Sequence, residues 1–505
     1  MFADARDVTE GEVLTADVCI AGAGAAGIAI ARDLIATGLR VIVLESGGFE
    51  IEEATQALYA GREEGLAGGE LENCRLRYFG GTTNHWAGWC RPMDEDVLAE
   101  RPGVAPGWPV SHGELVSHYR RALETCGLGA FEFDARSVAE RGGRELLPLD
   151  SARATHPLYQ YSFPPRRFGE FFRNDLEAAQ DVTVYLHANL TDIVLAEGGG
   201  AVRAFACKTL YGTSFEIQAD RFALALGGIE NARMLLASRS QEPAGVGNGH
   251  DLVGRRFMEQ PHMYDGAALL LRGELDLSFY IGLHNVFTYD DDSPGGVEVT
   301  VSPSLSLAPP LRDGRGLIAF ACELRELSRD NVADLSALGA DEIGSLLRGA
   351  EASGAKAYRM TIRGEQRPIP DSRVTLTDDQ DALGIPKPLL DWRIADDDRA
   401  DYRRGLELLG AELGRAGAGR LWMPLDDDGL YPRERITGGC HHMGTTAMSE
   451  SPEDGVVDGD CRVHGLENLY IAGSSVFSSG GYANPTLTIV ALAHRLADHL
   501  AEASS

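Results

Sequence analysis

The sequence predicts an α/β protein in which a Rossmann-like domain carries an inserted α+β domain. A strand–turn–helix–strand pattern occupies residues 16–46, and a strand followed by a glycine turn and a helix returns at 222–236. A β-rich stretch follows at 264–325, and the chain has no internal repeat and no low-complexity linker. We therefore expect the second domain to interrupt the first rather than to follow it.

The first unit begins with an apolar run at 18–21, which predicts a buried strand. A helix is predicted from Ala25 to about Thr37, because Gly38 is a common residue just beyond a helix C-terminus. A second apolar run at 41–44 predicts the parallel partner strand. This order of elements is typical of mononucleotide-binding units.

The turn of this unit carries Gly22, Gly24 and Gly27 in the pattern G-x-G-x-x-G. Gly22 makes the turn, Gly24 lets the backbone approach a pyrophosphate, and Gly27 lets the helix pack on the strand. The helix N-terminus offers free N–H groups to phosphates. Glu45 ends the second strand, where a carboxylate can bind the hydroxyls of an unphosphorylated ribose. FAD or NAD is therefore expected rather than NADP, and the motif itself does not choose between them.

Composition indicates an ordinary globular protein, large enough for two or more domains. The chain has 505 residues, of which 44% are hydrophobic and 24% charged. A net charge of −30 argues against nucleic acid and against an anionic membrane surface as partners. No apolar run of about 18 residues is present, so no transmembrane helix is expected.

The eight cysteines are scattered, and none forms a C-x-x-C pair. That spacing argues against a zinc ribbon, an iron–sulfur ligand run and a covalent haem site. The N-terminal residues 1–14 are acidic and lack an apolar core, so no signal peptide is expected. Both observations favour a cytoplasmic protein with reduced thiols.

The last 70 residues carry the densest chemistry. His441 and His442 lie in a glycine-flanked loop at 438–448. A metal site there is not expected, because no third ligand is close and adjacent side chains rarely reach one metal. Asn484 and Pro485 are predicted as N-cap and N1 of a final helix, whose N-terminus can stabilise a negative charge.

Several separated segments, in order and spacing, resemble the glucose–methanol–choline (GMC) oxidoreductase family. They are GAGAAG at 22–27, GGTTNHWAG at 80–88, CHHMGTT at 440–446 and LYIAGSSVFSSGGYANPTLT at 469–488, with support from 225–233 and 253–262. The resemblance spans the chain and implies FAD rather than NAD. It also implies a fold like that of p-hydroxybenzoate hydroxylase, with a substrate domain on a mostly antiparallel sheet.

The resemblance implies a discontinuous FAD-binding domain at 1–100, 181–258 and 435–505, and a substrate-binding domain at 101–180 and 259–434. It also implies a set of cofactor-binding residues drawn from all three parts of the first domain. These are Gly22, Gly24, Ala26, Gly27, Glu45, Ser46, Gly81, Thr82, Asn84, His85, Trp86, Ala87, Gly88, Leu190, Gly473, Ser474, Asn484, Pro485 and Thr486.

In this family the catalytic histidine lies three residues before the glycine of an H-x-x-G motif, which is His441 here. Its partner precedes the proline of the last helix, which is Asn484. A neutral imidazole can accept the proton of a substrate hydroxyl while the hydride passes to flavin N5. An amide can hold the substrate oxygen but does not act as a base at neutral pH.

Within the family, the short His-Trp form of the loop is similar to pyranose oxidases and bacterial glycoside 3-oxidases. That similarity implies oxidation of the C3 or C2 hydroxyl of a pyranose sugar or glycoside, with Gln366 as a sugar ligand or else an ordinary strand residue. The reduced flavin would then pass electrons to oxygen, to a quinone or to a separate protein. The alternatives are oxidation of a sterol or other apolar alcohol, and a flavin-binding protein without turnover. The particular sugar and the oligomeric state stay open.

His85 is in register with a histidine that links covalently to the flavin in pyranose oxidases, although its neighbour is Asn84 where those enzymes have threonine. A histidyl–flavin bond through His85 is therefore a hypothesis. The alternative is that His85 packs near the flavin without a bond.

Overall fold

The computed structural model describes residues 1–66, 71–281, 286–289, 297–327, 345, 348–350 and 352–502. The helix expected at 329–355 lies largely outside these residues. Over the described ranges, every helix is too short or too polar to cross a membrane.

The strands are numbered in chain order. They are β1 Phe2–Asp4, β2 Val13–Ala21, β3 Val41–Leu44, β4 Arg62–Gly65, β5 Trp89–Cys90, β6 Ala154–Thr155, β7 Leu158–Tyr161, β8 Val182–Leu186, β9 Asn189–Leu195, β10 Val202–Lys208, β11 Ser214–Leu224, β12 His262–Arg272, β13 Val286–Tyr289, β14 Val297–Pro303, β15 Ser306–Leu307, β16 Phe320–Glu326, β17 Ala355–Gly364, β18 Arg373–Gln380, β19 Pro386–Trp392, β20 Gly419–Trp422 and β21 Leu469–Ile471.

The α-helices are numbered in the same way. They are α1 Ala25–Asp33, α2 Glu53–Gln56, α3 Glu95–Leu98, α4 His112–Cys126, α5 Ala135–Arg141, α6 Phe168–Phe171, α7 Arg173–Ala178, α8 Gly227–Ala237, α9 Pro309–Asp313, α10 Asp396–Arg415 and α11 Thr486–Glu502.

The largest sheet joins eight described strands in the order β1–β8–β3–β2–β11–β10–β9, with β21 paired to the end of β11. In this sheet β1, β8, β3, β2, β11 and β21 run parallel to one another. The strands β10 and β9 continue the sheet beyond β11 as an antiparallel edge. The chain leaves β2 toward β3 on one side and returns as β11 on the other. Ligands of open α/β sheets bind in the crevice at such a switch point, at the carboxyl ends of the strands.

The helix α1 packs against α11, which also packs against α4. Small and branched apolar residues fill α1, and those from Ala26 to Ala31 are all buried. The helix ends at Asp33 rather than at the predicted Thr37. Ala36 has a φ of +62°, a left-handed conformation that an α-helix cannot continue through.

The antiparallel sheets lie elsewhere in the chain. One has the order β16–β17–β12–β20 and another the order β13–β14–β7–β5. The first draws its strands from 262–422, between β11 and β21, and α10 packs on β20 as a covering helix. The predicted α/β fold with a mostly antiparallel second sheet is confirmed. The domain boundaries stay a prediction.

A buried carboxylate joins these sheets to the C-terminal segment. Glu365 follows β17 and binds the guanidinium of Arg101 with both oxygens, at 2.5 and 2.7 Å. The same carboxylate accepts from the backbone N–H of Ala319 at 2.9 Å and of Gly481 at 3.3 Å. Because all four donors converge on one side chain, β17 and the segment leading to α11 are held in fixed relation.

Candidate active site

A cavity of about 540 Å³ opens at the carboxyl ends of β2, β3 and β11. Its volume falls within the range of roughly 300–1,000 Å³ found for ligand pockets. Most of the cofactor-binding residues predicted from the sequence line it. These are Gly22, Gly24, Ala26, Glu45, Ser46, Gly81, Thr82, His85, Trp86, Ala87, Gly88, Leu190, Gly473, Ser474, Asn484, Pro485 and Thr486.

The glycine turn has the geometry expected of a close-packed phosphate loop. Gly22 has a φ of +103°, and a Cβ there would lie 2.5 Å from the carbonyl oxygen of Ala225. A Cβ at Gly27 would lie 1.8 Å from the carbonyl oxygen of Gly22, so Gly27 serves helix packing and does not line the cavity. Gly24 has open space where a Cβ would be, which leaves the backbone accessible from the cavity.

Glu45 is buried at the end of β3 and lines the cavity. One carboxylate oxygen accepts from the N–H of Ala23 and the other from the N–H of Gly47, both at 3.0 Å. Each oxygen keeps a lone pair, so the carboxylate can still accept hydrogen bonds from ribose hydroxyls. Burial raises the pKa of Glu45, and the two backbone donors act against that rise.

Arginines at this end of the cavity were not predicted from the sequence. Arg77 donates from Nε to Ser46 Oγ at 2.8 Å, and Arg75 contacts the buried Glu230 at 2.8 Å. Burial raises the pKa of Glu230. The charges of Arg233, Arg75 and Arg77 outweigh this effect and lower that pKa to about 2. Glu230 is therefore ionised and holds two cationic side chains against the cavity wall.

These features fit a bound FAD. The first turn of α1 faces the cavity beside Gly24, which has no side chain to cap the helix, so its N–H groups can bind phosphates. Asn484 also lines the cavity, and its Oδ1 is buried without a hydrogen-bond partner among the described residues. An unpaired buried acceptor costs stability, so this atom is placed for a ligand.

Asn484 lines the cavity immediately before the last helix. The helix begins at Thr486, and the N–H of Ile489 bonds to the carbonyl of Pro485 at 2.8 Å. Pro485 is therefore the N-cap, and the prediction of Asn484 as N-cap was wrong by one residue. The side chain of Asn484 is consequently not used for capping and remains available to the cavity.

Asn84 is not a wall residue of the cavity, although both of its neighbours are, and its role in cofactor binding stays a prediction. Its side chain donates from Nδ2 to the carbonyl of Phe79 at 2.9 Å and packs against Gly80 and Gly169. The amide thereby closes the 3₁₀ turn at Gly81–Asn84. It therefore acts on the shape of the loop.

His85 follows this turn with its side chain exposed to the cavity. Trp86 donates from Nε1 to the carbonyl of Arg166 at 2.9 Å, and Arg167 donates to the carbonyl of Trp86 at 2.6 Å. Partial burial, and then the charge of Arg167, lower the pKa of His85, so its imidazole is neutral at ordinary pH. The two arginines of the 163–168 segment brace the loop and do not line the cavity.

His441 lines the same cavity as Glu45. Its backbone N–H donates to Oε2 of Glu259 at 2.9 Å, and its ring Nδ1 lies 2.9 Å from Oε1 of Gln260. An amide oxygen only accepts, so Nδ1 carries the hydrogen and Nε2 carries the lone pair. Gln260 therefore selects the tautomer that can act as a base through Nε2.

Burial lowers the pKa of His441 to about 3, and the charges of Arg363 and His442 act in the same direction. The ring of His262 packs edge-on against it, with centroids 5.5 Å apart. His262 also contacts Gln260 Oε1 at 3.3 Å, and burial lowers its pKa well below the usual value. Both imidazoles are therefore neutral, as a base that receives a hydroxyl proton must be.

Gln366 is not a wall residue of the cavity, and its contacts favour the alternative of an ordinary structural residue over a sugar ligand. Its Oε1 accepts from Trp392 Nε1 at 2.7 Å and from the N–H of Glu259 at 3.2 Å. Its Nε2 donates to the carbonyls of Phe257 and Arg393 at 3.4 and 3.3 Å. All of its hydrogen-bonding positions are used inside the protein, which assigns it a structural role.

The walls around His441 are aromatic and polar. Arg363 lies over the ring of Trp89, with 4.0 Å between the guanidinium carbon and the ring centroid, and pairs with Glu323. Tyr264, which is 57% exposed, hydrogen-bonds through its hydroxyl to Nδ1 of His262 at 3.2 Å. These residues come from β5, β12, β16 and β17, and no motif in the sequence marked them.

Residues 368–493 match the family described as GMC oxidoreductase, and residues 17–243 match the family described as FAD dependent oxidoreductase. The chain is 25% identical over 577 aligned residues to the fructose dehydrogenase large subunit of Gluconobacter japonicus, covering 96% of this chain and 98% of that protein. It is 35% identical over 133 residues to the C-glycoside 3-oxidase of Microbacterium trichothecenolyticum, covering 26% of this chain and 24% of that protein.

Among solved structures, pyridoxine 4-oxidase from Mesorbium loti has the same fold. It superposes with a TM-score of 0.60 at 18% identity, covering 96% of this chain and 98% of that one. The glycine turn, Glu45, His441 and Asn484 line one cavity in a fold of this kind. The chain resembles the GMC oxidoreductases along most of its length, and it is an FAD-dependent oxidoreductase that acts on alcohols.

Proposed function

We propose that this enzyme oxidises a secondary ring hydroxyl, at C3 or C2, of a pyranose sugar or glycoside to the keto-sugar. The observation that carries the proposal is that His441 and Asn484 line the same cavity as the glycine turn and Glu45. A neutral imidazole and an unpartnered amide oxygen there suit an alcohol. FAD, once bound, supplies the acceptor for the hydride that leaves the carbinol carbon.

The chain's own groups handle the hydroxyl proton. Nε2 of His441 accepts it, while Gln260 keeps the hydrogen on Nδ1 and so fixes the ring orientation. Glu259 binds the backbone N–H of His441 and holds the loop in place. Asn484 positions the substrate oxygen through its amide group, which cannot take the proton itself.

A sugar fits the cavity walls around His441 better than a sterol. Trp89 and Trp86 offer flat apolar faces, whereas Arg363 and Tyr264 offer hydrogen-bond donors. Although Arg363 pairs with Glu323, its Nε has no hydrogen-bond partner among the described residues, and a sterol would leave this donor unpaired against hydrocarbon. The names of two relatives, a fructose dehydrogenase and a C-glycoside 3-oxidase, also support a sugar-like substrate.

The experiment that tests the proposal mixes the holoenzyme anaerobically with free sugars, O-glycosides, C-glycosides and sterols. We expect a pyranoside to bleach the visible flavin absorbance. Matched 3-O-methyl and 2-O-methyl glycosides then separate the two positions, because only the one that blocks the reacting hydroxyl abolishes bleaching. Bleaching by sterols or simple alcohols alone would overturn the proposal.

Reoxidation of the flavin in the same sample identifies the electron acceptor. Rapid return of the absorbance on admission of air identifies an oxidase, whereas slow return that a quinone accelerates identifies a dehydrogenase. A cytoplasmic location stays a prediction from the eight cysteines, all of which are free thiols.

The covalent link through His85 also stays a proposal. It is supported by the exposure of this imidazole to the cavity and by its neutral state, since a neutral ring nitrogen can act as a nucleophile. Acid precipitation tests it directly. Yellow colour that remains with the pellet in the wild type and is lost in His85→Ala supports the bond, and complete release from the wild type excludes it.

A further inference from the structure

Cys74, Cys440 and His442 form a cluster with Glu259 beside the catalytic loop at 438–448. The proposed reaction does not use the first three of these side chains. Sγ of Cys74 lies 3.7 Å from Nε2 of His442, and that nitrogen lies 3.4 Å from Oε1 of Glu259. The thiol of Cys440 lies close enough to the sulfur of Cys74 for each to shift the pKa of the other. Both cysteines line the cavity, and Cys440 immediately precedes His441 in the chain.

The cluster stabilises a thiolate. The neighbouring thiol of Cys440 lowers the pKa of Cys74 below its usual range, and His442 acts in the same direction against the effect of burial. Although burial alone would lower it, the pKa of His442 is raised by Cys74 and Glu259. Arg75 also faces Cys74, while Glu259 and Glu63 face Cys440 and help to raise the pKa of that thiol.

The two sulfur atoms differ in solvent exposure. Of the eight cysteines, all of which are described, Cys440 alone is exposed, and Cys74 is 6% exposed on the cavity wall. Cys440 also has a φ of +57°, an uncommon conformation for a residue with a side chain. A nucleophilic sulfur therefore lies next to a reachable partner on a sharply turned backbone.

We propose that Cys74 and Cys440 form a thiol–disulfide exchange site, which low-molecular-weight disulfides oxidise to an intramolecular disulfide beside the catalytic loop. The thiolate of Cys74 attacks one sulfur of the small disulfide, forms a mixed disulfide and releases one thiolate. Cys440 then gives up its proton and attacks the sulfur of Cys74, which displaces the second half as a thiol. Two electrons pass from the cysteines to the small disulfide, and one proton leaves with the displaced thiol.

The product would tether the residue before His441 to the segment at 71–77. His441 depends on a hydrogen bond between its Nδ1 and Gln260, so a shift of Cys440 disturbs the tautomer and orientation of the base. We therefore expect oxidation to lower turnover and reduction to restore it, with FAD retained throughout.

Cys90 and Cys126 provide a matched control within the same chain. They too lie close enough to interact, but both are fully buried and burial raises the pKa of Cys90 well above its usual value. Exchange needs a thiolate and access, and this pair lacks both. The proposal therefore predicts a disulfide at one pair and none at the other.

The test treats the holoenzyme with 2-hydroxyethyl disulfide and maps the peptides by mass spectrometry. We expect a Cys74–Cys440 cross-linked peptide, lighter than the sum of the reduced peptides by two hydrogen atoms, while Cys90 and Cys126 stay reduced. In Cys440→Ser a mixed disulfide should persist on Cys74. A 74–440 pair that stays reduced, or a 90–126 pair that oxidises equally fast, would overturn the proposal.

A second measurement needs no disulfide. Alkylation of an ordinary thiol by iodoacetamide slows about tenfold for each pH unit below its pKa, because only the thiolate reacts. Alkylation of Cys74 in the holoenzyme should instead change by less than about threefold between pH 8 and pH 5. His442→Asn should restore the ordinary slope, and a wild-type protein that already shows that slope would contradict the thiolate.

Discussion

Two parts of the cavity wall are built in different ways, and we call them the nucleotide end and the catalytic end. The nucleotide end depends on local backbone, with Gly22 at a φ of +103° and Glu45 accepting from two backbone N–H groups of the same segment. The catalytic end is made of side chains from distant parts of the chain, with His441 held by Gln260 and Glu259. We conclude that the first end should govern cofactor affinity, and the second the rate of the chemical step.

The largest effect is expected from His441→Ala. Loss of the base should slow anaerobic reduction of the flavin by the best sugar by about a hundredfold to ten-thousandfold. FAD content should not change, because the nucleotide end is untouched. Stopped-flow absorbance measures the rate, and His250→Ala, which alters an exposed histidine, serves as control. Reduction at the normal rate would remove His441 as the base.

The complementary change is Glu45→Ala. The N–H groups of Ala23 and Gly47 lose their acceptor and the ribose loses its carboxylate, so FAD affinity should fall about tenfold to a hundredfold, as expected for a charged hydrogen bond of about 1.5–3 kcal/mol. Fluorescence titration of the apoprotein measures this, with the exposed Glu50→Ala as control. If kcat at saturating FAD fell as far as in His441→Ala, the division between the two ends would fail.

The pH dependence of kcat/KM tests the environment of the catalytic end. The base must be neutral, and burial lowers the pKa of His441 to about 3, so the neutral form persists as the pH falls from 7 to 5. A histidine at the usual pKa of about 6.5 would lose about twentyfold to thirtyfold in kcat/KM over this range. We expect a change below about threefold, measured with a substrate that does not ionise. A fall in kcat/KM with an apparent pKa near 6.5 would mean that the base is solvated during turnover.

The smallest effect on activity is expected from Gln366→Ala. KM for the sugar should stay within about twofold, because Gln366 does not reach the cavity. The free energy of unfolding should fall by about 1–3 kcal/mol, since Trp392 Nε1 and the N–H of Glu259 lose their acceptor. Urea unfolding measures this, with the exposed Gln380→Ala as control. A large rise in KM at unchanged stability would return Gln366 to the substrate site.

The comparison also explains what the sequence could predict. The glycine turn, the flanking strands and Glu45 lie within 31 consecutive residues at 16–46, so local spacing is enough to place them. His441 was placed on the cavity wall only because a family motif marks it. The position of Asn84 in the motif does not indicate the direction in which its side-chain amide points.

The partners of the catalytic loop had no local signal. Glu259 and Gln260 lie about 180 residues before His441, and they meet it because the segment leading into β12 forms isolated β-bridges with the segment at 437–443. Cys74 is farther still from His442, and nothing in the spacing of the cysteines indicates a pair. Tertiary hydrogen bonds of this kind depend on the assembled fold, and periodicity carries no information about them.

The carboxylate of Glu365 has a practical consequence for enzyme engineering. The carboxylate ties Arg101 and β17 to the backbone of Gly481, three residues before Asn484. If Asn484 orients the substrate as proposed, mutations that widen the pocket along β17 will therefore also displace its amide. Libraries that randomise the two regions separately will therefore accumulate variants with altered specificity and poor turnover. Varying both regions together, with Glu365 and Arg101 kept, offers the shorter route to new substrates.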